Sequence, residues 1–309
     1  MFHQDRACKP ENKCLAIKLA ERCAARLRAQ GLQRFQLARP CLHGTIQAGG
    51  DRIIDFLRRQ LRPQRSTAAA PAGVDTHLAP GTPFTVIGDI HGRADLLHRV
   101  VTDLLVAQVE GPMICIGDYI DRGDDSKNVL ETLYALCTAR GSPVICLKGN
   151  HEAMLLDFLD DPAASGRTWV RNGGLQTLAS YGLSAVGAEN DPLRLSELRG
   201  HLAEAMGPDL LGWLRNLPLS WQSGNVFVSH AGAAPRVPLD EQTPQALMWG
   251  GPEHYTMPRE DGYWVIHGHV TVSEPVARDG RIAIDTGAYA TGVLTAAIVR
   301  ENSVHFRST

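Results

Sequence analysis

Five short stretches of this sequence end an apolar run in residues that bind metal ions or move protons. They are Gly88-Asp89-Ile90-His91-Gly92, Gly117-Asp118-Tyr119-Ile120-Asp121-Arg122-Gly123, Gly149-Asn150-His151-Glu152, Ser229-His230-Ala231-Gly232 and His267-Gly268-His269. Carboxylate, imidazole and amide oxygen are the donor set of divalent ions such as manganese, iron or zinc. A thiolate site would need cysteine in these loops, and they carry none. Asp89 and His91, two apart on one loop, can both reach a first ion. Asp118 can lend one oxygen to each of two ions, and Asn150, His230 and His269 would complete the second. Two divalent ions, two carboxylates and a bridging hydroxide leave one net positive charge. Arg122 raises it to two, the charge that a phosphate monoester dianion neutralises. Two ions about 3.5–4 Å apart generate hydroxide at neutral pH and stabilise both oxygens of an in-line displacement at phosphorus. The expected reaction is hydrolysis of a phosphate ester by the bridging hydroxide.

A leaving alkoxide needs a proton. His151 stands beside Asn150 without being needed as a ligand, and Asp121 can hold its imidazole in one tautomer, so the two are expected to form a general acid pair. Arg122 offers a planar fork that matches two phosphate oxygens and is the expected substrate-binding residue. His267 is read as a strand-end residue rather than a ligand, and Asp285 as a turn residue. Glu152 and Asp124-Asp125 are read as charges that favour the positive end of a helix.

These loops must be positioned by the elements before and after them. Phe84–Ile87, Met113–Ile116, Val144–Leu147, Val226–Val228 and Tyr263–Ile266 are short apolar runs of strand type, and helical spacing follows at 94–109 and 126–139. Strand and helix alternating imply βαβ units, in which loops at the carboxyl ends of the strands share one edge of a sheet.

The ordered set of motifs resembles the phosphoprotein phosphatase family of serine/threonine phosphatases. The bacterial and phage lambda phosphatase-like branch of the calcineurin-like metallophosphoesterase superfamily is the nearest match. The likeness covers about residues 83–299 and includes Trp169-Val170-Arg171-Asn172-Gly173-Gly174 and Ile284-Asp285-Thr286-Gly287-Ala288. It implies an α/β fold with a central β-sandwich of mixed sheets flanked by helices. It also implies two divalent cofactor ions, with manganese expected and iron or zinc as alternatives. Asp89, His91, Asp118, Asn150, His230 and His269 would be the ligands, and the substrate a phosphorylated protein or a small phosphoester. The alternative activity is hydrolysis of symmetrical diadenosine tetraphosphate or another small phosphoester. Glu152 after His151, and Asp124 after Arg122-Gly123, favour the protein phosphatase, because the dinucleotide hydrolases typically carry aspartate and proline there. A third reading is a metal-stabilised binding module without turnover; retention of His151 and Asp121 speaks against it. Relatives often carry an arginine just after the tryptophan matching Trp249, where this chain has Gly250-Gly251. Arg171, Arg236 and Arg259 are the candidates for a replacement.

The chain has 309 residues, 44% hydrophobic and 21% charged, with a formal net charge of -2. That composition excludes global disorder, and the near-neutral balance gives the whole molecule no electrostatic reason to coat nucleic acid or anionic membrane; no nucleic acid partner is expected for the catalytic domain. Residues 1–70 nevertheless hold 14 Lys+Arg against 5 Asp+Glu. Leu15, Leu19, Cys23 and Leu27 recur every four residues there, so 1–62 is read as a basic helical extension, with a start of translation downstream of it as an alternative. Residues 63–82, rich in Pro, Ala and Gly, are read as a linker, and 83–309 as the catalytic domain. The seven cysteines are read as reduced thiols, because the spacing of Cys8, Cys14 and Cys23 fits no compact zinc finger. No apolar stretch is long enough for a membrane span and no secretory leader is evident, so a cytoplasmic protein is expected.

Overall fold

The structure is a computed structural model that describes residues 77–184, 187 and 191–309; the basic extension and most of the linker lie outside the described residues. Five strands make the first sheet: β1 (Phe84–Ile87), β2 (Met113–Cys115), β3 (Val144–Cys146), β9 (Thr295–Arg300) and β10 (Ser303–Ser308), in the order β10-β9-β1-β2-β3. β1, β2 and β3 run parallel, while β9 and β10 are antiparallel additions at one side. The second sheet holds β4 (Ser220–Ser223), β5 (Val226–Ser229), β6 (Trp264–His267), β7 (Val276–Arg278) and β8 (Arg281–Ala283), in the order β4-β5-β6-β8-β7. β5, β6 and β8 are parallel.

Alternation along the strands fixes how the layers stack. In β1, Phe84 and Val86 join Ile114, Val226, Val228, Ile266, Ile282 and Val299 in one buried cluster, so the two sheets pack face to face. Ile87 points the other way, with Met113, Cys115, Ala296 and Ile298, into a second and larger core. Helices cover that face: α1 (Ala94–Val106), α2 (Ser126–Thr138), α3 (Asn150–Asp160), α4 (Pro162–Trp169), α5 (Leu175–Ser180), α6 (Pro192–Met206) and α7 (Pro208–Arg215). A π-helical turn at Val170–Gly174 joins α4 to α5. Outside the second sheet, Phe227 and Val265 pack on Leu247 of α8 (Pro244–Trp249), which α9 (Pro252–Thr256) follows. A last short helix, α10 (Ala288–Thr291), precedes β9. The fold is the sandwich flanked by helices that the sequence resemblance implies.

The packed body begins earlier than the reading of 63–82 as linker allows. Leu78 is buried in the core between the sheets, the Ala79 amide donates to Asn225 Oδ1 (2.8 Å), and the Asn302 amide donates to the Leu78 carbonyl (2.8 Å). Leu78 is the largest apolar residue of that stretch, and its side chain is buried in that core. Among the described residues no helix is long and apolar enough to cross a membrane.

Candidate metal centre

The carboxyl ends of β1, β2, β3, β5 and β6 meet at one edge, and all five motif loops converge there. Asp89, His91, Asp118, Asn150 and His230 are buried, and His269 is half-buried. Asp118 lies at the centre. Its Oδ2 is 3.5 Å from His91 Nε2 and 3.8 Å from His151 Nε2, and its Oδ1 is 3.4 Å from His230 Nε2. Donor atoms of His91, Asp118 and His151 fall within 4.8 Å of one another, as do those of Asp118, His230 and His269. Asn150 Oδ1 stands 2.8 Å from His230 Nε2 and 3.0 Å from His269 Nδ1, and those two ring nitrogens are 3.2 Å apart.

Backbone carbonyls set the tautomers. His91 Nδ1 donates to the Ile120 carbonyl (2.8 Å) and His230 Nδ1 to the Ile116 carbonyl (3.2 Å), which turns both Nε2 lone pairs toward Asp118. Burial holds His91, His230 and His269 below the ordinary imidazole value, so they remain neutral donors. Burial also pushes Asp89 and Asp118 well above the usual carboxylate range. The neighbouring Asp285 and Asp118 charges add to this at Asp89, and Glu152 does so at Asp118. One Asp89 oxygen, Oδ1, is buried without a hydrogen-bond partner, while Oδ2 accepts from the His269 amide (3.0 Å). A Cβ at Gly268 would collide with that carboxylate, so only glycine lets the His269 loop close over it. Paired carboxylates short of positive charge, an orphaned carboxylate oxygen and neutral imidazoles aimed at it together fit divalent cations.

The loops are strained where they turn. His91, Asp118, Asp121, Arg122 and His269 all have positive φ, between 43° and 69°. Such conformations cost about 1–3 kcal/mol each and persist where surrounding bonds over-determine them. Those bonds are present. The Asp118 carbonyl accepts from the Ile90 and His91 amides, and Glu152 accepts from the amides of Asp118 (2.8 Å), Tyr119 (2.8 Å) and Gly149 (2.9 Å). Glu152 is therefore a fully buried clamp that joins the Asp118 and Asn150 loops, a correction to its reading as a simple helix-start charge. Burial raises its carboxyl to about 7, against the three amides that favour the ionised form.

His151 and Asp121 form the pair that their spacing suggests, with Nδ1 2.7 Å from Asp121 Oδ2. Sequence reasoning missed what holds Asp121. Trp169 Nε1 donates to both its oxygens (3.1 and 3.2 Å), Thr177 Oγ1 donates to Oδ1 (2.6 Å), and its amide donates to Ser126 Oγ (3.1 Å) and Thr177 Oγ1 (3.0 Å). The helical run through 169–177 was the available signal, since it brings an indole and a hydroxyl to one buried point. Burial lifts Asp121 to about 8 and lowers His151 to about 3, so in the free cleft desolvation favours the uncharged pair. A phosphate dianion beside the imidazole acts in the opposite direction.

Arg122 places Nη1 3.1 Å from His91 Nε2, with its guanidinium 5.0 Å from the ring centre of Tyr289, which also meets the His91 ring edge-on. Tyr289, on α10, gave no signal in the sequence. His267 ends β6 buried, its Nδ1 donating to the Gly268 carbonyl (3.0 Å), outside both donor groups. Asp285 accepts from Thr271 Oγ1 (3.0 Å) and the Gly287 amide (2.8 Å), as a turn residue does. Among the candidates for a second arginine, Arg259 is spoken for: it is buried and bonded to Asp261 and to the Ala234 and Val237 carbonyls. Arg171 and Arg236 are exposed.

The family model for calcineurin-like phosphoesterases matches residues 82–279. Serine/threonine-protein phosphatase 5 of Solanum lycopersicum is 35% identical over 94 residues, which is 30% of this chain and 17% of that protein. The symmetrical bis(5'-nucleosyl)-tetraphosphatase of Acidovorax sp. (strain JS42) is 27% identical over 159 residues, 50% of this chain and 46% of that protein. The chain thus spans less than half the length of these relatives. Among solved structures, a cold-active protein-tyrosine phosphatase of a psychrophilic Shewanella species superposes with a TM-score of 0.50 at 17% identity, over 78% of this chain and 86% of that one. That likeness concerns the fold alone.

Proposed function

This chain belongs to the calcineurin-like phosphoesterase family, and from that membership we propose that it hydrolyses phosphate monoesters with two divalent ions, acting on phosphoserine or phosphothreonine in proteins. The observation that carries the reading is Asp118 with imidazole nitrogens converging on both its oxygens, next to an Asp89 carboxylate with one oxygen unsatisfied. In this reading Asp89, His91 and Asp118 would hold one ion, and Asp118, Asn150, His230 and His269 would hold the other. Bound there, two such ions would acidify a water molecule and neutralise phosphate oxygens, with manganese the expected species.

The chain's own residues supply the rest. The His91 Nε2 lone pair can serve either Arg122 or a ligand, so giving it up frees Nη1 for a phosphate oxygen, while the Tyr289 face keeps the guanidinium in position. His151 carries the proton for the leaving alkoxide on Nε2, the ring nitrogen 3.8 Å from Asp118 Oδ2. Asp121 holds Nδ1, and Trp169 and Thr177 hold Asp121. Glu152 favours phosphoprotein over dinucleotide substrates by its resemblance to the protein-phosphatase branch. The match to a tetraphosphatase keeps diadenosine tetraphosphate as the second reading.

The test is an assay with manganese against p-nitrophenyl phosphate, a phosphothreonine peptide and diadenosine tetraphosphate. Turnover of the phosphopeptide is expected, with His151→Asn keeping the ions and losing about 10²–10⁴-fold in kcat. Cleavage of the dinucleotide alone would transfer the assignment to the second reading. No turnover with ions bound would leave a binding module.

A further inference from the structure

Three thiols sit together where β2 and β3 meet the end of α2. Cys115 and Cys146 are partners in the register of β2 and β3, and Cys137 comes from the last turn of α2. All three are free, and Cys137 Sγ lies 3.2 Å from Cys146 Sγ. A groove of about 500 Å3 opens onto this pair, lined by Tyr134, Cys137, Cys146, Trp213 and Asn216 among others. Cys137 is half-buried, Cys146 is 3% exposed, and Cys115 is completely enclosed and takes no part in the groove lining.

We propose that Cys137 and Cys146 are a modification site, a dithiol that a small peroxide entering the groove converts to an intramolecular disulfide. Closing the bond needs the two sulfurs to approach by about 1.2 Å from their present separation, within reach of a side-chain adjustment. Access decides which thiol reacts first. Cys137, as a thiolate, attacks one peroxide oxygen; the O–O bond breaks and the other oxygen leaves as hydroxide, which takes a proton to become water. Cys137 is then a sulfenic acid. Cys146 Sγ attacks the Cys137 sulfur, the S–O bond breaks, and the departing oxygen takes the Cys146 proton and leaves as a second water. Two thiols are oxidised and one peroxide is reduced to two waters. Burial holds the Cys146 thiol well above its ordinary pKa, so it is not the thiol that meets the peroxide; its sulfur, 3.2 Å from Cys137 Sγ, reacts once the sulfenic acid is beside it. The bond ties the end of α2 to the strand that leads, four residues later, to Asn150. The site is independent of the hydrolase reading.

The experiment treats the reduced full-length protein with hydrogen peroxide, blocks remaining thiols under denaturing conditions with iodoacetamide, and maps non-reduced peptides by mass spectrometry. The expected result is a peptide pair joined through Cys137 and Cys146, with Cys115 recovered alkylated and the link removed by dithiothreitol. Cys146→Ser should leave Cys137 as a sulfenic acid that dimedone traps. Cys137→Ser should leave Cys146 alkylatable. Recovery of both thiols unmodified, of Cys137 as sulfinic or sulfonic acid without a link, or of a Cys115–Cys146 link would overturn the proposal.

Discussion

Replacing Thr177 by valine isolates the support beneath the proton-transfer pair. Valine has nearly the same shape, so no cavity opens, but the hydroxyl that donates to Asp121 Oδ1 at 2.6 Å is lost. The Asp121 amide keeps Ser126 Oγ at 3.1 Å, and the carboxylate keeps Trp169 Nε1 and His151 Nδ1. The change therefore removes that hydrogen bond, worth about 1.5–3 kcal/mol where the carboxylate is ionised, together with one of the two acceptors of the Asp121 amide. Because that bond favours the ionised carboxylate, its loss raises Asp121 further above about 8 and weakens its hold on the His151 proton. If the whole loss reaches the transition state, kcat falls by about 10- to 150-fold. Steady-state assay on p-nitrophenyl phosphate with manganese should show that fall with KM changed little, since Thr177 does not touch the Arg122 side of the cleft. Thr177→Ser, which keeps the hydroxyl, should restore most of the rate. A valine variant that stays folded with kcat within twofold of the parent would refute the assignment of Asp121 and its supports.

Glu152→Asp keeps the charge but shortens the side chain, so it cannot reach the Asp118, Tyr119 and Gly149 amides together. One unsatisfied buried amide lowers stability by about 1–3 kcal/mol in urea denaturation, and an unchanged midpoint would show that the clamp is dispensable. His267, held by burial at about 4, is neutral in the folded chain while the unfolded chain protonates near pH 6.5. The unfolded state then binds the extra proton, so stability falls as pH drops from about 6.5 to 4. A denaturation series across that window should show this part of the fall vanish in His267→Gln, and an identical acid limb in the variant would exclude His267 as its source.

The strands that carry the chemistry were the legible ones. β1, β2, β3, β5 and β6 are continuous apolar runs because both faces of each are covered, and each ends abruptly in a polar loop. β10, Ser-Val-His-Phe-Arg-Ser, alternates at an edge, and β4, β7 and β8 are as short as the legible strands but mix polar with apolar residues, so no continuous apolar run marks them. The helices at 94–109 and 126–139 were placed correctly but end at Val106 and Thr138, a shift of the size that frayed ends produce. The candidate ligands could be read because several rare donors recur at strand ends. Glu152, Trp169, Thr177 and Tyr289 could not, because their roles depend on which distant backbone or carboxylate the fold sets beside them. Sequence also gave no reason to separate Arg259 from Arg171 and Arg236; only the carbonyls of Ala234 and Val237 show that it is occupied. The basic extension at 1–62 lies outside the described residues.

Counting the ions tests the centre most directly. Calorimetric titration of manganese into the chelator-treated full-length chain should reach two ions per chain, and Asp118→Asn, which alters the carboxylate common to both donor groups, should lose tight binding of both. A single ion bound by the parent chain, or two still bound by the Asp118→Asn variant, would contradict a centre bridged by Asp118.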